Sequence, residues 1–203
     1  MPFDRSFLRR SPLEVAPALL GATLSVGGVA LRITEVEAYL GVGEDPGSHS
    51  FRGQTKRNAV MFGDAGHLYV YFTYGMHTCA NVVCSPPGRS GGVLLRAGEI
   101  IEGVEPARSR RTTSKRDTDL AQGPARLTVA LGIAMSDDGA DLETGRIRLD
   151  VPAPLDPSLV SSGPRTGVSG AGGGADYPWR FWITGDPTVS PYKKSAKSRV
   201  TSA

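Results

Sequence analysis

An α+β fold in one domain is predicted by three features of the sequence. Strand-like apolar runs and two helix signals mix along the chain without the regular βαβ alternation of a doubly wound sheet. The 203 residues include 26 glycines and 15 prolines, more chain-bending residues than a helical protein carries. With 39% hydrophobic and 21% charged residues, the chain can bury one sizeable core.

The elements follow in order. Ser11-Pro12-Leu13-Glu14 reads as a capping box with proline at the first helical position. Gly21 is its stop signal, and Pro17 inside the helix removes a backbone donor, so the helix bends or begins late. Residues 31–39 form a strand rich in Ile, Val and Thr. The polar stretch 41–58 is a long loop, and long loops in compact domains are often functional. Residues 68–72 and 78–84 make a hairpin that turns through Tyr74, Gly75, Met76 and His77. Residues 93–97 are a buried strand interrupted by Arg96. A helix over 124–131 starts at Pro124 and stops at Gly132. Residues 147–149 and 179–183 are further strands, and the glycine-rich run 170–174 reads as a mobile loop.

Several classes of protein are set aside. No apolar run reaches the ~18 residues of a membrane span, and residues 1–10 lack the apolar core of a secretory signal. Two cysteines, Cys79 and Cys84, make no disulfide framework, so the expected compartment is a reducing cytoplasm. Walker A, H-E-x-x-H and G-x-G-x-x-G motifs are missing. Gly88 to Gly92 match G-x-S-x-G in form, but a nucleophile elbow needs a strand before it and a helix after, and here Pro86 and Pro87 precede. The cysteines and the three scattered histidines give no local metal signature. The net charge of +3 permits a polyanionic partner. Arg108, Arg110, Arg111, Lys115 and Arg116 form one basic cluster, read as a solvated loop, and Lys193, Lys194, Lys197 and Arg199 a basic tail.

Chemistry is concentrated in two segments. Glu35 and Glu37 lie two apart on a strand and so face one way. Acids in an apolar strand are costly to bury unless paired or functional. They are either exposed on a solvated sheet face, paired with Arg32 and Arg96, or catalytic. A carboxylate beside Arg96 stays ionised and can deprotonate water. Tyr39, Tyr69, Tyr71 and Tyr74 gather near these acids, with His49 in the intervening loop. Tyr74 sits at a hairpin tip, where it either folds back or serves as a wedge between base pairs.

Taken in sequence, RITEVEAYLG (32–41), DPGSHS (45–50), QTKRN (54–58) with Met61-Phe62, LYVYFTYGMHTCAN (68–81), VLLRA (93–97) and QGPARL (122–127) carry a resemblance. The set resembles the alkyladenine (3-methyladenine) DNA glycosylase family, of the single-domain mammalian type that also has bacterial members, from about Phe7 to Pro191. That resemblance implies one α+β glycosylase domain over 1–191, with residues 192–203 as a basic tail. The implied fold has a curved mixed or antiparallel sheet, surrounding helices and a projecting hairpin. Glu37 then matches the general base and Arg96 the arginine that helps hold the attacking water. Tyr39, His49 and Tyr71 match the walls of the base pocket, and Asn81 the residue that disfavours guanine. Tyr74, with Met76 beside it, matches the side chain that fills the gap in the duplex. A main-chain carbonyl near Val168 would complete the water site. The implied partner is double-stranded DNA containing damaged purines, met by a monomer in the cytoplasm at the nucleoid. No metal or organic cofactor is implied. Three departures stand out: His77 replaces a tyrosine, Ala80 can loosen the pocket, and the loop after Val168 is longer. Two other readings remain open: a catalytically silent damage binder on the same scaffold, and a small-molecule hydrolase using Glu35 and Glu37 as acid and base.

Overall fold

The computed structural model describes residues 5–73, 75 and 77–195. Helix α1 (Arg5–Leu8) is one turn, and α2 (Pro12–Ala18) starts where its sequence signal stands. Only half of the expected capping box forms. The Ser11 hydroxyl accepts the Leu13 N–H, while Glu14 reaches out toward Arg10. Pro17 lies inside α2 without splitting it.

Strands β1 (Thr23–Val26) and β2 (Val29–Tyr39) form a hairpin across Gly27 and Gly28. Both glycines have positive φ, 53° and 82°, as a two-residue primed turn requires. The expected strand 31–39 is therefore the far part of a longer one. Strands β3 (Leu68–Thr73) and β4 (His77–Val83) pair from Leu68↔Val82 to Thr73↔His77, as the hairpin reading requires. Tyr74 and Met76, at its tip, lie outside the described residues.

Strand β5 (Gly92–Glu102) extends well beyond the expected 93–97 and runs antiparallel to both β2 and β4. Helix α3 (Val104–Arg110) follows, then β6 (Ala121–Gln122), α4 (Pro124–Leu131), β7 (Ile147–Asp150), β8 (Val160–Gly163) and β9 (Arg180–Ile183). The sheet order is β3-β4-β5-β2-β1-β7, with β6 on β5, β9 on β2 and β8 on β9. Every pairing in this sheet is antiparallel. Valines and leucines of β2 to β5 meet Val15 of α2, Leu19 at its end, and Leu127 and Leu131 of α4 in the main core.

Two expectations need correction. The basic stretch 108–116 is not simply a solvated loop, because α3 covers its start. Arg110 and Arg111 there donate to the main-chain carbonyls of Ala130 and Leu120. The glycine run is also no free loop. Ala171–Gly173 is a 3-10 turn whose Gly172 is buried. A Cβ there would stand 2.5 Å from the Gly47 nitrogen, so only glycine lets the two loops touch.

One feature of the topology places the site. Strand β1 pairs with the first half of β2 and β9 with the second, so Glu35 to Glu37 lie between β5 and β9. The β2–β5 register shifts on either side of Glu35. Such bulges often re-aim side chains next to active sites.

Candidate active site

Both strand carboxylates are fully buried, but they have different tasks. Glu35 Oε1 accepts from Arg96 Nε at 2.9 Å, Arg180 Nε at 2.6 Å and the Ser190 hydroxyl at 3.0 Å. Its Oε2 accepts the Ser190 N–H at 2.7 Å. Four donors leave it a structural counter-ion, with no part in the lining of the large cavity. That removes the solvated-face reading of the two acids and Glu35 as an acid at the cavity. Arg32 is not its partner either: it binds Glu99 and Asp186.

Glu37 does line the cavity. Its Oε1 accepts the Thr166 N–H at 2.6 Å and lies 3.3 Å from Arg96 Nη1. Its Oε2 accepts the Tyr39 hydroxyl at 2.9 Å. Arg96 therefore spans both acids. Burial works against its charge, but Glu37 and Glu35 outweigh that and raise its pKa. Arg96 stays cationic at the cavity floor.

The cavity holds about 410 Å³, within the usual range for a small-molecule site. Glu37, Tyr39, His49, Tyr71, Asn81 and Arg96, each singled out from sequence, all line it. Tyr69 and Tyr71 stack with centroids 5.4 Å apart, and His49 meets the Tyr71 ring edge-on at 4.6 Å. His49 Nδ1 lies 3.0 Å from the Tyr69 hydroxyl, which fixes the imidazole plane. Asn81 Nδ2 donates to the Tyr69 carbonyl at 3.2 Å, so its amide is oriented by the neighbouring strand.

Burial sets the protonation of these walls. It pushes Tyr69 up to about 12, against the pull of Arg57. Burial, with Cys79 next, raises Tyr71, and burial followed by Glu37 raises Tyr39. All three phenols remain neutral donors. Burial and then Arg57 lower the His49 pKa, which keeps the ring neutral near neutral pH.

Some contributors escaped the sequence reading. The main-chain group on Glu37 is the Thr166 N–H, with Val168 lining the cavity two residues on. Arg180 and Ser190 hold Glu35 from the distant end of the chain. Asp45 and Arg165, both fully buried, form an ion pair behind the pocket. Nothing in the local sequence marks these four, because their partners are over a hundred residues away. Ala80 faces the main core and takes no part in the cavity lining, so it does not loosen the pocket. His77 is exposed. Among the described residues, no group of three or more His, Cys, Asp or Glu is placed to hold a metal ion.

The cavity is aromatic-walled over a buried acid–arginine floor, and comparison with known proteins gives the class. The family described as methylpurine-DNA glycosylase matches residues 6–187. The chain belongs to this family of DNA glycosylases, which serve DNA repair at alkylation damage. Individual relatives agree over nearly full length. A Leifsonia xyli protein named "Putative 3-methyladenine DNA glycosylase" is 59% identical over 196 residues, covering 93% of this chain and 91% of the relative. Streptomyces avermitilis has a protein of the same name, 55% identical over 205 residues, covering 98% and 95%. A third such protein, from Mycobacterium tuberculosis, is 47% identical over 195 residues, covering 92% of each chain.

Proposed function

We propose that the protein takes an alkylated or deaminated purine out of duplex DNA into this cavity and hydrolyses its N-glycosidic bond with a water activated by Glu37. The observation that carries the reading is the setting of Glu37. It lies at an aromatic-walled cavity with donors from Thr166, Tyr39 and Arg96 arranged around it. Oε2 takes a single protein donor, and a carboxylate oxygen has room for a second. A water bound there gives its proton to Glu37 as its oxygen bonds to C1′. The C1′–N bond breaks, and its electron pair leaves with the base. A purine methylated at N3 or N7 carries positive charge, so it departs as a neutral molecule, whereas an uncharged hypoxanthine or ethenoadenine departs as the anion and takes a proton from water.

The walls suit that substrate. Tyr39, His49 and Tyr71 present neutral rings, and a cation over an aromatic face gains ~0.5–2 kcal/mol per contact. Extruding the nucleotide costs a few kcal/mol, least where the base is damaged. Thr73, the last residue of β3, lines the cavity. Tyr74 would fill the vacated place in the stack, beside Met76. Among the described residues no lysine lines the cavity, so the product is an abasic site on an intact strand. Asn81, paired across adjacent strands with Leu94 and lining the cavity beside it, is the residue assigned to disfavouring guanine. The protein acts as a monomer in the cytoplasm.

The test is incubation with duplex oligonucleotides holding a single 3-methyladenine, 7-methylguanine, hypoxanthine or ethenoadenine. Free base must appear, and strand breaks only after alkali. Release of no base from any of the four sinks the proposal in favour of a silent damage binder. Strand cleavage without alkali sinks the hydrolytic step.

A further inference from the structure

Arg165 is the largest fully buried side chain among the described residues, 1% exposed, and the chemistry above does not use it. Burying a guanidinium is expensive unless its charge is met and its donors are filled. Here both conditions hold. Nη1 and Nη2 bind the two oxygens of Asp45 at 2.6 and 2.7 Å. Nη1 also donates to the Ala38 carbonyl at 2.9 Å. Nε and Nη2 converge on the Gly172 carbonyl at 3.2 and 2.7 Å. All the N–H positions of the fork are occupied. Its carbon sits 4.4 Å from the Tyr39 ring centroid and 5.1 Å from that of Trp179.

Arg165 does not line the cavity, whereas Tyr39 does, so the guanidinium backs the tyrosine from outside. Through Asp45, which also accepts the Leu40 and Gly47 N–H groups, it fixes the loop that carries His49. The residue that follows it, Thr166, supplies the N–H on Glu37. Tyr39 supplies the hydroxyl on the other oxygen. The contact is close enough that a Cβ on Gly47 would lie 2.6 Å from Arg165 Nη2. Two walls of the pocket, Tyr39 and the loop of His49, and both flanking donors of Glu37 therefore meet at one side chain.

We propose that Arg165 is a positioning residue for base release: from outside the pocket, its fork with Asp45 holds Tyr39 and Thr166 in the register in which they grip Glu37. This rests on the reading of Glu37 as general base. A lysine would keep the charge but could not make the planar fork.

The experiment compares Arg165→Lys, Tyr39→Phe, their double variant and Glu37→Gln by single-turnover base release from ethenoadenine duplex. Equilibrium binding of an abasic-analogue duplex and urea unfolding are measured alongside. Misplacing reacting groups by about 1 Å can cost ~100-fold. Arg165→Lys, folded at the assay temperature, is expected to lose ~10- to 100-fold in release rate with abasic-analogue binding nearly unchanged. Its loss should be smaller in the Tyr39→Phe background, because one of the contacts it positions is already gone. A purely structural role would give losses that simply multiply. If Arg165→Lys does not fold, Asp45→Asn, which keeps the volume and removes the fork's charge partner, stands in for it. A folded variant of either kind with normal release overturns the inference while Glu37→Gln remains inactive. Normal release by Glu37→Gln overturns the general-base reading itself.

Discussion

Replacing Glu37 by Gln separates holding from chemistry. The side chain keeps its volume inside a set of donors, and the geometry decides which way the amide points. Thr166 N–H, at 2.6 Å, and Arg96 Nη1 both face Oε1 and can only donate. The amide oxygen must take that position, which leaves the NH2 toward the Tyr39 hydroxyl. That hydroxyl can rotate to accept. Arg96 keeps its bond to Glu35, but that one carboxylate then serves both Arg96 and Arg180, so the variant should also lose some stability. The fold and the pocket should survive with one change: the group beside the attacking water can no longer take its proton. Loss of a general base costs ~100- to 10,000-fold in rate. Base release from ethenoadenine duplex, measured with enzyme in excess, is expected to fall by that factor. Binding of the same duplex should stay near the parent's. A folded Glu37→Gln protein that releases base at the parent's rate would refute the assignment of the proton acceptor.

Glu35→Gln acts on stability instead. It removes the charge that Arg96 and Arg180 share, and breaking a buried pair costs ~3–5 kcal/mol. Urea unfolding should register that loss, while base release below the unfolding range stays well above that of Glu37→Gln. For His49 the sign is fixed by burial, which lowers its pKa from 6.5. The unfolded chain then binds more protons below that pH, so stability falls as pH drops through about 6.5 and below. The urea midpoint of His49→Gln should fall less between pH ~7 and ~5, and equal slopes would contradict a buried neutral imidazole. Duplex binding should weaken with salt: with about five phosphates neutralised, log K falls against log salt with a slope of roughly −4 to −5. A flat dependence would remove the duplex-binding reading.

The sequence made the pocket walls legible and its supports invisible, for a physical reason. Glu37, Tyr39 and Tyr71 sit on strands whose period of two puts alternate residues on one face. A polar or aromatic residue on such a face stands out against the apolar pattern. Arg165 and Ser190 lie in a glycine- and proline-rich stretch with no periodicity. Their meaning comes from partners that tertiary structure alone supplies, Asp45 120 residues away and Glu35 155 residues away. The same limit hid β1, where Gly27 and Gly28 between two valines were the only local sign of the turn. It also turned 170–174 into an apparently mobile loop. Glycine there answers the need for close approach to Gly47, a need that reads like flexibility when only the composition is in view.

Glu35 lies near the start of the chain, yet two of its four hydrogen bonds come from Ser190. Thr34 beside it meets Thr188 at 2.8 Å. The floor under Arg96 is thus incomplete until the chain has been synthesised past residue 190 and folded back across the sheet. Contacts of such long sequence separation close late because their loop entropy must be overcome first. A growing chain on the ribosome would hold Glu37 and Arg96 long before Glu35 gained its last donors. A protein ending before Ser190 would lack two of the four donors to Glu35 while keeping every residue that lines the pocket.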